Sequence, residues 1–284
     1  MTILITGATG QLGRLVIDSL LTRGADPKSI VAGARDLSKA ADLADRGIRV
    51  VSLDYDDAAS VDAAFDGVDS VLLVSGSEVG KRTAQHKAVV DAAKAAGVSK
   101  LVYTSAPKAT TSDLVLAPEH KATEELIVAS GVPAVVLRNN WYTENYAGSM
   151  AHAAASGVLS ASVGEGKVAS ASRRDFADAA AVVLLEDGHI GEVYELGGDV
   201  AWDFSELAAT IAEIADRPVE YQALSSEEHA AYLTAAGLDE GTIGFLTALD
   251  AGIREGALAD TDGTLARLIG RPTTPLAEGL RAAV

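Results

Sequence analysis

The first half of the chain alternates short apolar runs with longer amphipathic segments, and this alternation limits the possible folds more than any other feature. The runs are apolar along nearly their whole length, which is typical of strands buried on both faces of a parallel sheet. Strands are predicted over Ile3–Thr6, Ile30–Ala34, Ile48–Leu53, Ser70–Ser75, Lys100–Ser105 and Ala134–Arg138. Helices are predicted over Gln11–Arg23, Leu37–Arg46, Ala58–Phe65, Arg82–Ala96 and Glu119–Ser130. This order predicts an α/β fold of right-handed βαβ units forming a doubly wound parallel sheet.

A glycine-rich loop joins the first predicted strand to the first predicted helix. Gly7, Gly10 and Gly13 give the spacing G-x-x-G-x-x-G. In a dinucleotide-binding (Rossmann) fold, such glycines allow a tight turn, a close approach of the backbone to a pyrophosphate, and close packing of helix on strand. Amides at the helix N-terminus then meet the phosphates, with the helix dipole behind them. The alternative is a strand–helix turn with incidental glycines. We predict that the cofactor contacts the loop residues Gly7, Ala8, Thr9, Gly10, Gln11, Leu12 and Gly13.

Three further strand ends predict cofactor contacts, because doubly wound sheets bind ligands at the carboxyl ends of their strands. Arg35 ends the second strand, where a cation favours the 2′-phosphate of NADP and an acidic side chain would instead accept from a 2′-hydroxyl. Asp54 closes the third strand and suits either an adenine-side contact or a helix N-cap. Ser75, Gly76 and Ser77 end the fourth strand, where small residues let the backbone lie against the cofactor. We therefore predict NADP(H), with a surface role for Arg35 as the alternative.

The second half of the chain is less regular. A helix capped by Asp175 is expected to run to about Leu185, followed by a strand over Glu192–Leu196. Further helices are predicted over Phe204–Ala215, Ser226–Ala236 and Leu238–Glu255. No linker rich in Pro and Ser separates the two halves.

We therefore expect residues 1–284 to form a single NAD(P)-binding domain. Within it, residues 1–140 are expected mainly to bind the cofactor, and residues 141–284 mainly to form a smaller C-terminal substrate-binding lobe.

Composition excludes several classes of function. The 23 Lys and Arg against 40 Asp and Glu give a formal charge of −17, which repels nucleic acid and anionic lipid. The absence of Cys excludes disulfides, thiolate nucleophiles and Cys-ligated metals, and the five His form no metal-ligand spacing. No apolar run approaches the roughly 18 to 20 residues needed to span a bilayer. Since no secretory signal is expected either, we predict a cytoplasmic protein without a bound metal, a membrane partner or a nucleic-acid partner.

Several segments resemble the NmrA-like branch of the short-chain dehydrogenase/reductase superfamily. They are most similar to the bacterial type 2 NADPH:quinone oxidoreductases and the related triphenylmethane dye reductases. Besides the glycine loop, the segments are Ser77-Glu78-Val79-Gly80-Lys81-Arg82, Arg138-Asn139-Asn140-Trp141-Tyr142-Thr143-Glu144-Asn145-Tyr146, Gly166-Lys167-Val168-Ala169-Ser170-Ala171-Ser172-Arg173, Tyr194-Glu195-Leu196-Gly197-Gly198 and Leu268-Ile269-Gly270-Arg271-Pro272-Thr273-Thr274. The resemblance implies NADPH as the hydride donor and a flat, conjugated acceptor such as a quinone. It leaves the oligomeric state open, a homodimer included.

The resemblance also implies roles for residues beyond the glycine loop. It places Ser75 and Ser77 beside the ribose and the nicotinamide. It places the segment from Asn139 to Tyr142, which includes Asn140, along the nicotinamide and the acceptor. Arg173 is implied at the far side of the pocket. The aromatic residues of this segment could equally belong to the core.

The superfamily's usual Tyr-x-x-x-Lys pair is missing, because none of the seven tyrosines has Lys four residues later. A ketone substrate needs a proton donor at the developing alkoxide, whereas a reduced quinone oxyanion is stable enough to be protonated by water. The loss therefore fits quinone reduction. His120, on the helix that normally carries the pair, is a candidate proton donor, and a surface histidine is the alternative.

Two other functions stay open at this stage. An NmrA-like redox sensor would bind NADP(H) and choose a protein partner without turnover. A related reductase of a specialised substrate would share the scaffold, because a fold does not determine its function.

Overall fold

The computed structural model describes residues 1–76, 78 and 80–283. The strands are β1 (Ile3–Ile5), β2 (Ile30–Ala34), β3 (Arg49–Ser52), β4 (Ser70–Leu73), β5 (Lys100–Ser105), β6 (Ala134–Asn139), β7 (Val158–Ala161), β8 (Lys167–Val168), β9 (Val193–Leu196), β10 (Trp202–Asp203) and β11 (Glu220–Ala223). The α-helices are α1 (Gln11–Thr22), α2 (Ala41–Asp45), α3 (Ala58–Ala64), α4 (Arg82–Ala96), α5 (Ala117–Ser130), α6 (Ala147–Ser156), α7 (Arg173–Leu185), α8 (Phe204–Ala215), α9 (Ser226–Ala235), α10 (Glu240–Arg254), α11 (Thr264–Ile269) and α12 (Leu276–Arg281). Short 3₁₀ turns lie at Pro27–Ser29, Leu37–Ala40 and Thr143–Tyr146.

The central sheet has seven strands in the order β3-β2-β1-β4-β5-β6-β9. The pairs from β3 to β6 are all parallel, and β1 pairs with β2 on one side and with β4 on the other. The strand order therefore reverses at β1. In a doubly wound sheet, the ligand crevice lies at this reversal, outside the carboxyl ends of the strands. The predicted α/β Rossmann fold is confirmed.

The inner strands of the sheet are buried, as their apolar sequences predicted. Every residue of β1, β2, β4 and β5 is buried, whereas β3 at the edge is partly exposed. Full burial of each Val, Leu or Ile side chain contributes about 1.5–3 kcal/mol. The inner strands thus give a rigid frame for the loops that follow them.

Two predicted helices differ from those in the structure. The segment predicted as one helix over Leu37–Arg46 divides into a 3₁₀ turn and the short α2, because the Asp36 side chain accepts a hydrogen bond from the amide of Ser38 and closes a tight turn there. The helix predicted to be capped by Asp175 begins at Arg173 instead, so Asp175 lies inside the first turn of α7. A carboxylate suits that position as well, because it faces the positive end of the helix dipole.

The chain divides into two compact units. Unit 1 comprises Met1–Ala109, Pro118–Asn139 and Arg173–Glu195, and it contains the central sheet. Unit 2 comprises Thr110–Ala117, Asn140–Ser172 and Leu196–Val284. The predicted division of roles between residues 1–140 and 141–284 remains a prediction.

Unit 2 has its own apolar core and two small sheets. The core includes Tyr146, Trp202, Phe204, Leu207 and Ile253. One sheet pairs β11 with β7 in parallel, and the other pairs β10 with β8 in antiparallel orientation. Across the described part of the chain, every helix is too short or too polar to cross a membrane.

Candidate functional site

The glycine loop follows β1 and turns into α1. Gly7 has a φ of +58°, a conformation that favours glycine, and the amide of Gly10 donates to Gly7 O over 2.9 Å. A Cβ on Gly13 would lie 2.4 Å from Gly7 O and 2.9 Å from Ala8 Cα. Only a residue without a Cβ lets α1 pack this closely on the loop. Among the described residues, no side chain caps α1 at Gly10, so the N-terminal amides of the helix are left for an anion.

The other loop residues divide between the core and the surface. Ala8 and Leu12 are buried, and the amide of Ala8 donates to Gly33 O over 3.0 Å, which ties the loop to β2. Thr9 is partly exposed, and Gln11 is exposed. Contacts of Ala8 and Leu12 with a ligand would therefore involve the backbone rather than the side chains.

A groove of about 260 Å³ runs along the carboxyl ends of β1 to β4. It brings together seven of the residues that the sequence singled out: Gly7, Thr9, Gly10, Arg35, Asp54, Ser75 and Gly76. It also includes residues that sequence reasoning missed, namely Gly33, Leu53, Tyr55, Val74, Glu78 and Gln85. The spacing of the glycines and the positions of the strand ends were enough to predict the first seven residues. The six missed residues join the groove only because neighbouring strands end beside one another.

Arg35 lies in this groove beside a carboxylate. Its Nη1 is 3.0 Å from Glu78 Oε1, and the Arg35 side chain is 67% exposed. Lys81 Nζ lies 3.2 Å from Glu78 Oε2 and 3.8 Å from Asp56 Oδ2. The hydrogen bond with Glu78 raises the pKa of Lys81 above its ordinary value. Two cations therefore flank Glu78 at the groove.

The strand end after β3 contributes Asp54 and Tyr55. Asp54 Oδ1 accepts from the amide of Asp56 over 3.1 Å, and Asp57 is the N-cap of α3. The N-cap alternative for Asp54 is therefore wrong, because the helix starts three residues later than that role requires. The Tyr55 hydroxyl lies 2.6 Å from Thr6 Oγ1 and 3.0 Å from Val74 O. Tyr55 thereby links the carboxyl ends of β1 and β4.

Side chains of β5 and α4 hold the chain after β4. The amide of Ser75 donates to Thr104 Oγ1 over 2.9 Å, and Gly76 O accepts from Arg82 Nε over 2.7 Å. Arg82 is buried and forms an ion pair of 2.8 Å with Glu119. A buried ion pair of this kind sets the geometry of the groups it holds more than it adds to stability. The predicted contact at Ser77 lies outside the described residues.

His86 fixes the backbone of Gly76, and its tautomer follows from its partners. The Thr123 hydroxyl donates to Glu119 O over 2.9 Å, so its oxygen accepts from His86 Nδ1, 3.0 Å away. His86 Nε2 is then the unprotonated nitrogen, and it accepts from the amide of Gly76 over 3.0 Å. Burial, together with the nearby Arg82 charge, lowers the pKa of His86 to about 3. No motif or spacing in the sequence indicates this role of His86.

His120 is buried within unit 1, so the expectation of a surface histidine is wrong. It is 5% exposed, and its Nδ1 lies 2.7 Å from the Tyr103 hydroxyl. Burial, and secondarily the Arg82 charge, lowers the pKa of His120 to about 3. The helix pattern did not predict this because α5 turns His120 and Glu124 toward β5, whereas other polar residues of the same helix are exposed. His120 is not among the residues that line the groove.

The predicted acceptor segment Asn139–Tyr142 separates into residues with different surroundings. Asn139 is buried at the end of β6 in unit 1. In unit 2, Asn140 Nδ2 donates to Leu258 O over 3.2 Å, and Asn140 Oδ1 accepts from the Trp141 amide over 2.6 Å. Trp141 lines a cavity of unit 2, whereas Tyr142 is half-buried and forms a β-bridge with Ala171. The Asn140 side chain thus bonds to backbone on both sides.

Other polar residues of unit 1 lie on its strands and helices, outside the groove. Arg173 is half-buried and begins α7. Arg138 forms ion pairs of 2.6 Å with Glu124 and 2.8 Å with Glu195, and the Ser105 hydroxyl donates to Glu124 over 2.6 Å. Because these contacts hold both carboxylates, neither Glu124 nor Glu195 is available as a general base. Sequence reasoning missed this network because its members are far apart along the chain.

Comparisons with known proteins identify the family of the chain. The family model described as NAD(P)H-binding matches residues 7–187. Quinone oxidoreductase 2 of Escherichia coli (strain K12) is 48% identical over 278 residues, which cover 98% of this chain and 97% of that protein. The NAD(P)H azoreductase of Xenophilus azovorans is 28% identical over 281 residues, covering 99% and 97% of the two chains.

Solved structures show the same relationship. The NADPH-dependent quinone oxidoreductase of Escherichia coli, complexed with NADPH, superposes with a TM-score of 0.95 at 48% identity over 99% of both chains. The triphenylmethane reductase of Citrobacter sp., complexed with NADP(H), gives a TM-score of 0.94 at 36% identity over 100% of both chains. The chain belongs to the NAD(P)H-binding family, in the NmrA-like branch that contains these two reductases.

Proposed function

We propose that this chain is an NADPH-dependent oxidoreductase that reduces a quinone or a similar conjugated acceptor. The observation that carries the proposal is the 48% identity, over nearly the whole of both chains, to a quinone oxidoreductase whose solved structure holds NADPH. The groove of unit 1 supports it, because this chain has a glycine loop and a cation where that cofactor needs them.

The residues of the groove fit the parts of NADPH. The uncapped amides at the start of α1 would bind the pyrophosphate, and Gly7 and Gly10 leave room for it because they lack side chains. Arg35 would hold the 2′-phosphate, for which a planar guanidinium is suited. Ser75 and Gly76 would lie against the ribose and the nicotinamide, with their backbone fixed by Thr104 and His86. NADPH supplies a hydride to the acceptor when bound.

The proposed contribution of the protein to the reaction is positioning, with water as the source of the proton. His120 stays a candidate proton donor, and its low pKa means that it would act as a neutral imidazole rather than as an imidazolium. Asn140 and Tyr142 stay candidates for the acceptor wall. Hydrogen-bonding groups in fixed positions, together with a fixed orientation of the acceptor, can supply much of the rate enhancement without an acid–base pair.

A cytoplasmic location and the absence of a nucleic-acid partner stay predictions from the composition of the chain. The oligomeric state stays open, with a homodimer among the options.

The test is a screen of NADPH oxidation against quinones, triphenylmethane dyes, azo dyes, enones and simple ketones. We expect oxidation with quinones or other conjugated acceptors and none with simple ketones, because the chain lacks the Tyr-x-x-x-Lys pair. NADPH binding is measured in parallel by cofactor fluorescence. Tight binding without oxidation of any acceptor would contradict the proposal and favour a redox sensor.

A further inference from the structure

The Glu78 carboxylate bridges two cations at the groove of unit 1. Its Oε1 lies 3.0 Å from Arg35 Nη1, and its Oε2 lies 3.2 Å from Lys81 Nζ. All three side chains reach solvent, with exposed fractions of 67% for Arg35, 62% for Lys81 and 37% for Glu78. Asp56 adds a longer contact, 3.8 Å from Lys81 Nζ. A carboxylate of the chain itself therefore occupies the place between the two cations.

A buried ion pair holds the backbone on both sides of Glu78. Arg82 Nε donates to Gly76 O over 2.7 Å, and Arg82 Nη1 lies 2.8 Å from Glu119 Oε2. The other oxygen of this carboxylate, Glu119 Oε1, accepts from the amide of Gly80 over 2.9 Å. Because these contacts anchor the chain two residues before and two residues after Glu78, the fold restricts where its carboxylate can lie.

The start of α4 brings Lys81 to the same place. Lys81 is the N-cap residue of this helix, and its amide donates to Glu78 O over 3.2 Å. A phosphate presents several oxygens on one central atom, as a carboxylate does, so it can contact the same two cations. A phosphate monoester carries a charge of about −1.5 to −2 at pH 7, against −1 for a carboxylate. Arg35 and Lys81 should therefore attract a phosphate more strongly than they attract Glu78.

We propose that Lys81 is a second specificity-determining residue for the 2′-phosphate of NADPH, which displaces the Glu78 carboxylate and takes its place between Arg35 and Lys81. This inference rests on the proposed function, because it concerns recognition of the cofactor in the same groove. Arg35 supplies a planar guanidinium and Lys81 a compact charge, so together they can contact more than one phosphate oxygen. NADH carries a hydroxyl at that position and would gain nothing from Lys81.

The test is a double-mutant cycle in which Lys81→Gln and Glu78→Gln are made singly and together in the full chain. Dissociation constants for NADPH and NADH are measured by cofactor fluorescence without an acceptor. Lys81→Gln should weaken NADPH binding about two- to fivefold, as expected for a contact between exposed charges, and leave NADH binding unchanged. Lys87→Gln is the matched control, because Lys87 is a similarly exposed lysine of α4 that pairs with Asp91 instead of Glu78. It should change neither affinity.

The double variant tests the displacement of Glu78 itself. In the natural chain, Lys81 gives up its contact with Glu78 when it binds the phosphate, so the two interactions partly cancel. Lys81→Gln should therefore cost more NADPH affinity in the Glu78→Gln background than in the natural background. Equal losses in the two backgrounds, or a loss in the natural chain no larger than that of Lys87→Gln, would overturn the inference and leave the proposed function intact. A natural chain that does not bind NADPH would contradict both.

Discussion

At the scale of single residues, Arg35 shows how far the position of a residue at a strand end predicts its binding partner. The sequence placed a guanidinium at the end of the second strand and predicted the 2′-phosphate of NADP as its ligand. The structure adds Glu78, which holds the same guanidinium at 3.0 Å. A 2′-phosphate at Arg35 would therefore compete with a carboxylate of this chain. The preference for NADPH over NADH then depends on how much more strongly Arg35 binds the 2′-phosphate than it binds Glu78.

Arg35→Ala should weaken NADPH binding about tenfold and leave NADH nearly unchanged. A charge-assisted hydrogen bond is worth about 1.5–3 kcal/mol, and the exposure of Arg35 puts the expected loss at the lower end. Dissociation constants for both cofactors, measured by fluorescence, give the result. Equal losses for NADPH and NADH would remove Arg35 from the 2′-phosphate site.

Glu78→Gln should tighten NADPH binding by roughly threefold, with little effect on NADH. The change removes a negative charge that would lie beside the 2′-phosphate, and pairs of exposed charges contribute about 0.2–1 kcal/mol. The gain should shrink at high salt because exposed charges are screened. Glu213→Gln is the matched control, since Glu213 forms an exposed ion pair with Arg281 in unit 2. A loss of NADPH affinity in Glu78→Gln would mean that Glu78 supports the site instead.

At the scale of elements, the contact between α1 and the loop after β1 decides whether the groove exists. Gly13→Ala should lower the free energy of unfolding by about 1–3 kcal/mol, because the new Cβ would meet backbone atoms that cannot move independently. NADPH binding should weaken as well, since α1 must shift. Gly244→Ala in α10 is the control, because a Cβ there meets open space and Ala favours a helix by about 1 kcal/mol. Similar denaturation midpoints for the two variants would show that the close approach is not needed.

The histidines of α4 and α5 should make stability fall in mild acid. The folded chain holds the pKa of both His86 and His120 at about 3, against 6.5 for an unperturbed histidine. Between these values the unfolded chain binds more protons, so stability is full above pH 6.5 and falls as the pH falls. Each histidine contributes a slope of up to about 1.4 kcal/mol per pH unit.

The measurement is denaturant unfolding between about pH 5 and pH 7, which lies above the range in which ordinary carboxylates titrate. The double variant His86→Gln, His120→Gln should show a shallower dependence on pH, even if it is less stable throughout. His189→Gln, at a partly exposed histidine, is the control and should keep the natural slope. Parallel pH profiles for the natural chain and the double variant would refute the burial argument.

At the scale of the whole molecule, NADPH binding should raise the free energy of unfolding. A ligand that binds only the folded chain adds about 2.7 kcal/mol when it is present at about 100 times its dissociation constant. Thermal unfolding with and without NADPH should show this gain, and Arg35→Ala should show less of it at the same NADPH concentration. An unfolding temperature that NADPH does not change would contradict binding in the groove.

The sequence by itself determined the parallel sheet, its strand ends and the glycine loop. These features are periodic or local, because buried parallel strands must be apolar on both faces and a phosphate-binding turn must lack side chains. Tertiary structure alone decided that Glu78 forms an ion pair with Arg35 and that His86 and His120 are buried and neutral. Each of these facts depends on side chains brought together from different elements. Pattern and spacing carry no information about such contacts, because burial and electrostatic partners are set only when the elements pack.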